Sequence, residues 1–285
     1  MNLRNDNSLL NRRDVRRRFD RAAPGFDAVD FVHSETREGL LTRLMPMLVD
    51  AKTIVDLGCA TGTASRALFR QFRRAHIISI DLSHQMLRQA QRKRSLFRRN
   101  SVVQADATTL PLASESVDLV FANLLLPWIS DPALLFTELA RVLRKDGLLV
   151  FSALGPDSLK ELRQAWQDDG AHVNRFLDMH DIGDAVVRSG LRDPVLDVDR
   201  LQVSYEEPRA LFDDLTAMGG RNSLENRSRS LLGKARFEAM KTTLAGSSAL
   251  TLELELIYGH CWGCGAQLGS GEVRIDAMQI GRRDR

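Results

Sequence analysis

The chain has 285 residues, of which 44% are hydrophobic and 27% charged, a length and mix that support one large domain or two small ones with a substantial core. The net charge of +3 is too small to indicate nucleic acid as a partner, and no apolar run approaches the roughly 18 residues of a membrane span. The N-terminal stretch is basic but has no apolar core, so it does not read as a secretory signal, and a cytoplasmic location is expected. Three cysteines do not make a disulfide framework. Cys261 and Cys264 offer two metal ligands at most where zinc takes four, so no metal is expected.

In chain order, residues 8–22 read as a helix broken by Pro24 and Gly25, and a second helix fits 34–48 with Ser34 as its cap. Alternation follows: strands at 53–58, 76–81, 101–106, 117–123 and 147–154, with helices at 62–73, 84–94 capped by Ser83, and 131–144 capped by Asp131 with Pro132 at its first position. Short continuous apolar strands separated by helices indicate a parallel sheet covered on both faces. Helices, including one at 181–189, occupy much of 156–194, and a strand pattern returns at 194–205. Residues 208–244 are mostly helical and charged, 249–260 alternate strictly as an antiparallel edge strand would, and 272–280 suggest a further edge element. The expected architecture is a single α/β domain with a mostly parallel sheet. Residues 1–50 form a helical arm, 51–155 a ligand-binding core, and 156–285 the remaining helices and edge strands, with 208–244 inserted.

Ligands of open parallel sheets bind beyond the carboxyl ends of the strands. Four polar or glycine-rich features fall there: the loop Asp56-Leu57-Gly58-Cys59-Ala60-Thr61-Gly62, then Asp81, Asp106 and Asn123. Gly58 permits a tight turn and Gly62 a close backbone approach to a ligand. Asp81, about 20 residues beyond the loop, is placed to accept both hydroxyls of a ribose. The loop is not the G-x-G-x-x-G of a dinucleotide site, and no Gly-Lys-Ser/Thr follows it, so a ligand without phosphate fits better.

The segments "VDLGCATG" (55–62), "IDLSHQML" (80–87), "QADATTLPLASESVDLVFAN" (104–123) and "ELARVLRKDGLLVFSALG" (138–155) resemble, as a set, the motif series of class I S-adenosylmethionine-dependent methyltransferases. That resemblance implies a Rossmann-like fold with S-adenosyl-L-methionine as cofactor. Asp56, Gly58, Ala60 and Gly62 would lie against its methionine and ribose, Asp81 would hold the ribose, and Leu82 and Met86 would flank the adenine. Asp106, with Ala107, would bind the adenine amino group, and Asn123 and Leu124 would line the methionine side.

A narrower resemblance runs along nearly the whole chain. "RRFDRAAPGFD" (17–27), "NLLLPWISDP" (123–132), "FSALGPDSLKELRQAW" (151–166), "HVNRFLDMHDIGDAV" (172–186) and "ALTLELELIYGHCWG" (249–263) are similar to malonyl-acyl-carrier-protein O-methyltransferases of biotin synthesis. The resemblance implies methylation of the free carboxyl of a malonyl thioester, with acyl carrier protein as the partner, and an arm that closes over the cofactor as a lid. A carboxylate is already ionised at neutral pH and needs no base, so the lack of a Ser-His-Asp or Cys-His set is in keeping with it. Arg175 is expected to hold the substrate carboxylate in its forked guanidinium. Trp128 is expected to line the substrate passage. Phe26 stands where the family has tyrosine and could still wall off water.

Acidic carrier proteins give the arginines a candidate role. They cluster at Arg12, Arg13, Arg16, Arg17, Arg18 and Arg21, again at Arg88, Arg92, Lys93, Arg94, Arg98 and Arg99, and again at Arg221, Arg227, Arg229, Lys234, Arg236 and Lys241. Two other readings are compatible with the residues: a methyltransferase for a quinone precursor or other small molecule, and a binding protein that kept the cofactor fold and lost catalysis. A positive φ at Ala60 would favour the second. A nucleic-acid methyltransferase is disfavoured, because "NLLLPW" follows the fourth strand in place of an Asn-Pro-Pro-Tyr-type motif.

Overall fold

A computed structural model describes residues 9–93, 100–166, 170–227, 233–245 and 250–265. Arg94, Arg98, Arg99 and Arg229, the side chain of Lys234, and the element suggested at 272–280 lie outside the described residues. The chain order is α1 (Arg12–Ala22), α2 (Phe31–Leu44), β1 (Thr53–Leu57), α3 (Thr63–Gln71), β2 (His76–Asp81), α4 (His84–Arg92), β3 (Asn100–Gln104), β4 (Val117–Ala122), α5 (Pro132–Val142), β5 (Leu143–Leu154), α6 (Lys160–Ala165), α7 (Met179–Arg188), β6 (Arg192–Tyr205), α8 (Pro208–Ala217), α9 (Lys234–Ala245) and β7 (Leu250–Trp262).

The seven strands form one sheet in the order β3-β2-β1-β4-β5-β7-β6. The first five are parallel, and β7 pairs antiparallel with both β5 and β6. The antiparallel pairing of the 249–260 stretch is as expected, but its place is not the edge: β6 takes the edge and β7 lies between two partners. Its leucines at 250, 252, 254 and 256 face one core layer while Ile257 and Cys261 face the other. Buried β1 and β4 lie side by side with the strand order diverging to either side, so the switch point falls between them. The central strands are apolar because helices cover both faces: Ile54, Leu119 and Val150 pack into one layer, Val55, Val120 and Leu149 into the other.

Local signals account for the starts of α4 and α5. The Ser83 hydroxyl accepts the Met86 N–H (3.1 Å), and the Asp131 carboxylate accepts the Leu134 N–H (3.1 Å). The second helix differs from expectation. It begins at Phe31 after Asp30, which makes no side-chain capping bond, and ends at Leu44. Ser34 lies one turn inside and accepts a hydrogen bond from Arg37 (2.7 Å). This shift puts Val32 and His33 on a regular helix above the carboxyl end of the sheet. Among the described residues, no helix is long and apolar enough to cross a membrane, and no cluster of His, Cys, Asp and Glu could hold a metal.

The arm is tied down at both ends. The Asn11 N–H donates to the Ser223 carbonyl (2.8 Å) and Leu10 bridges Leu224. At the other end Asp20 Oδ1 accepts from the Ser83 hydroxyl (2.7 Å) and the Gln85 N–H (3.1 Å). Asp27 pairs with Lys93 and accepts from the Thr61 hydroxyl (2.5 Å). The arm therefore spans from the 222–227 segment to α4 and roofs the sheet end between them.

Candidate active site

A cavity of about 300 Å³ opens at the switch point. Its floor is the loop after β1 (Gly58, Ala60), the end of β2 (Asp81, Leu82), the turn after β3 (Asp106, Ala107) and the end of β4 (Asn123, Leu124). The roof comes from the arm, through Arg12, Val15, Phe19 and Phe26. Phe19 meets Trp128 edge-on with ring centroids 4.9 Å apart, and Phe26, 3% exposed, meets His33 at the same separation.

Each floor group is placed by a specific bond. Asp81 Oδ2 accepts the Ala60 N–H (2.9 Å) and Oδ1 the Ser83 N–H (2.7 Å), so the carboxylate is fixed between the loop and α4. Ala60 has φ +46°, the left-handed region. That conformation costs about 1–2 kcal/mol for a residue with a Cβ, and it accompanies the N–H that reaches Asp81. The methyl packs against Ala22, Ala23, Phe26 and Met86. This is the positive φ set as the mark of the binding-protein reading, and the same conformation supplies the N–H that holds Asp81. Asp106 Oδ1 accepts from the N–H (2.9 Å) and hydroxyl (2.8 Å) of Thr108, and Oδ2 pairs with Arg12 of the arm. Asn123 donates to the His33 carbonyl (2.9 Å) and accepts from the Ser152 hydroxyl (2.8 Å), which locks α2 to the end of β4.

Four expected residues stand elsewhere. Asp56, 1% exposed, is behind the wall, where it accepts from the Ser65 hydroxyl (2.5 Å), itself bonded to Ser79 (2.7 Å). Its acidic side chain joins β1, α3 and β2 and does not line the cavity. Gly62 also misses the cavity: it needs φ +79° at the start of α3, and a Cβ there would lie 3.0 Å from the Ala90 Cβ. It serves close helix packing, not ligand approach. Met86 is fully buried behind Phe26 and Ala60. Arg175 is exposed and lines neither this cavity nor the next, although its neighbours Asn174 and Phe176 do line the second. The backbone there turns the apolar and amide side chains inward and the guanidinium outward. Cys261 is buried, its thiol pushed up to about 12 by burial, and Cys264 donates to the Gly190 carbonyl (2.7 Å).

Burial raises the acids on the floor and behind it. Burial lifts Asp56 to about 7, with Asp81 contributing, and lifts Asp81 to about 6, with Asp20 contributing. Carboxylates held in this way favour a ligand that brings positive charge.

A second, apolar chamber of about 90 Å³ adjoins the first. Leu154, Leu159, Phe176, Leu211, Leu252 and Leu254 are among its walls. Among the described residues, only His33, Leu124 and Trp128 line both spaces, so they form the junction. Burial, reinforced by the charge of Arg37, lowers the His33 imidazole to about 4 and keeps it neutral. Sequence reasoning missed His33: a histidine in a polar helix start carries no signal, and only the true start of α2 directs it inward.

An open, mostly parallel sheet with order 3-2-1-4-5-7-6, a glycine loop after β1 and a ribose-suited acid at the end of β2 define a class I methyltransferase. A methyltransferase domain is recognised over residues 55–151. The fold matches a putative methyltransferase from Bacillus halodurans with a TM-score of 0.60, at 14% identity over 80% of this chain and 98% of that one. The chain is 42% identical over 272 residues to the malonyl-[acyl-carrier protein] O-methyltransferase of Methylovorus sp., covering 90% of each chain. To that of Halorhodospira halophila it is 38% identical over 98% of this chain and 99% of the relative. It belongs to the family of malonyl-[acyl-carrier protein] O-methyltransferases.

Proposed function

We propose that the protein methylates the free carboxyl of a malonyl thioester on acyl carrier protein, giving the methyl ester, as an early cytoplasmic step of biotin synthesis. The observation that carries this reading is a cavity floored by Asp81 and Asp106 and joined to an apolar chamber at the switch point. When bound, S-adenosyl-L-methionine supplies an electrophilic methyl group on a positively charged sulfur. Gly58 and Ala60 would carry the loop against its methionine and ribose. Asp81 would accept the ribose hydroxyls, Asp106 would accept the adenine amino group beside Ala107 and Leu82, and Asn123 and Leu124 would border the methionine end. Asp56, Gly62 and Met86 support this wall from behind.

The substrate is already a nucleophile at neutral pH, so the remaining task is alignment and exclusion of water. Phe19, Phe26 and Trp128 close the space over the floor, and the reacting charges are of opposite sign, so a dry site strengthens their attraction. Esterification masks the carboxylate, leaving a chain that extends like an ordinary acyl primer. The test is label transfer from S-adenosylmethionine carrying a labelled methyl, with malonyl-carrier protein and acetyl-carrier protein offered in parallel. Transfer to the malonyl form alone is expected, and transfer to neither overturns the reading. The apolar chamber also suits a small apolar acceptor, so a quinone precursor belongs in the same assay; methylation of it in preference to the malonyl thioester would favour that second reading.

A further inference from the structure

We infer that His33 is the residue that receives the substrate's carboxylate, at the junction of the two cavities. The inference rests on the carboxyl-methylation reading and names the group that selects for the acid.

The junction has three lining side chains. Leu124 offers nothing polar, Trp128 offers one indole N–H, and His33 alone offers ring nitrogens that can donate, accept or take a proton. The His33 Nδ1 is buried without a hydrogen-bond partner. A buried polar group left unpaired costs about 1–3 kcal/mol, so a natural core rarely retains one without a use. The imidazole is also firmly placed. The backbone carbonyl of His33 accepts from Asn123 at the end of β4 (2.9 Å), and the ring rests edge-on against Phe26.

The alternatives for the carboxylate are engaged or turned away. Arg37, one turn further along α2, pairs with Asp30 (3.3 Å). Arg12 pairs with Asp106 across the other end of the cavity. Arg175 faces solvent. A neutral imidazole also suits the chemistry better than a guanidinium fork. It can hold one carboxylate oxygen by a single N–H and leave the other free to attack, whereas a bidentate cation would engage both oxygens and lower their basicity. Discrimination follows from the same geometry. An acetyl thioester would leave the imidazole without its partner, and a site with an unpaired buried polar group rejects the substrate that lacks the matching group.

The test compares the full-length protein with His33→Leu and His33→Gln. The leucine variant should lose about 10–100-fold in kcat/KM for malonyl-carrier protein, the range for a hydrogen bond to a charged group. Its affinity for S-adenosylhomocysteine should stay within about threefold of wild type. Glutamine, which keeps a donor of similar reach, should recover much of the activity, and His33→Asn, polar but shorter, should not; this pair carries the test should leucine not fold. Acetyl-carrier protein should inhibit wild type more weakly than malonyl-carrier protein binds, and in His33→Leu that gap should close. Unchanged kcat/KM in the leucine variant overturns the assignment. So does a fall in S-adenosylhomocysteine affinity equal to the fall in activity while methylthioadenosine, which lacks the amino-acid end, binds as before; His33 would then hold the cofactor's carboxylate. A wild-type enzyme that does not methylate malonyl-carrier protein refutes the proposed function itself.

Discussion

Asp56 shows how one side chain in the loop motif works from behind the cavity wall. It is the last polar residue of β1, almost wholly buried, and its carboxyl is raised to about 7 mainly because burial penalises the charge, with the Ser65 hydroxyl pulling the other way. The unfolded chain would ionise it near the usual carboxylate value. Between about pH 4 and pH 7 the folded state therefore binds more protons than the unfolded one, and this group's contribution to stability falls as pH rises through that window. Asp56→Asn removes the titration. Measured by thermal unfolding, the variant's midpoint relative to wild type should rise by several degrees between pH 5 and pH 8, since the shift corresponds to a few kcal/mol. A difference that stays constant with pH would show that Asp56 does not titrate there. His33 has the opposite sign: its lowered value means that acidification through pH 6.5 to about 4 works against the fold. Only the comparison with a single variant separates the two. The residues that carry the site were legible in part. Asp81, Asp106 and Asn123 end consecutive strands, and position alone reveals them. Asp56 and Met86 share the same motifs, yet whether a side chain points through the wall or behind it depends on packing that spacing does not encode. Arg175 has the chemistry to hold a carboxylate, but the local backbone turns it outward.

At the scale of elements, α3 and α4 meet where Gly62 opens α3. The close approach to Ala90 explains why the loop has glycine at this end. Gly62→Ala would add left-handed strain of about 1–2 kcal/mol and force α3 from α4 at a further cost of similar size. Denaturant unfolding should register a loss of about 2–4 kcal/mol, against little change for Gly25→Ala, whose Cβ would meet nothing within 4 Å. A Gly62→Ala loss below about 1 kcal/mol would mean that the helices separate freely. The parallel strands and capped helices were readable because their signals are local: continuous apolar runs, Ser83, and Asp131 with Pro132. The start of α2 was not, because Asp30 ends the preceding turn without a capping bond. The edge was misplaced for a different reason. Strict alternation marks a strand with two unlike faces, and β7 has them, but which strand lies outermost depends on β6 returning from α7 to pair along twelve positions of β7.

For the whole molecule, the arm joins the site to its surface. The inner side of α1 sends Arg12, Val15 and Phe19 into the cavity roof, and its outer side exposes Arg13, Arg16, Arg17 and Arg21. Arg12 and Arg17 are paired with Asp106 and Asp14, while Arg13, Arg16 and Arg21 have no ion pair among the described residues. Basic charge thus stands on the outer side of the cavity roof, where an acidic carrier protein delivering a tethered thioester would meet it. Exposed charges are screened within about 8 Å at physiological salt, so docking through this face should weaken with ionic strength. Raising salt from about 0.05 to 0.5 M should increase KM for malonyl-carrier protein several-fold and leave KM for malonyl-pantetheine, which has no protein to dock, nearly unchanged. Replacing Arg13, Arg16 and Arg21 together by glutamate should reproduce the effect at low salt, again without loss on the pantetheine substrate, because none of the three lines the cavity. If both substrates respond alike, the charge acts on the chemistry or on the fold. If neither responds, the carrier docks elsewhere, and the basic residues near α9, Arg236 and Lys241, become the face to vary next.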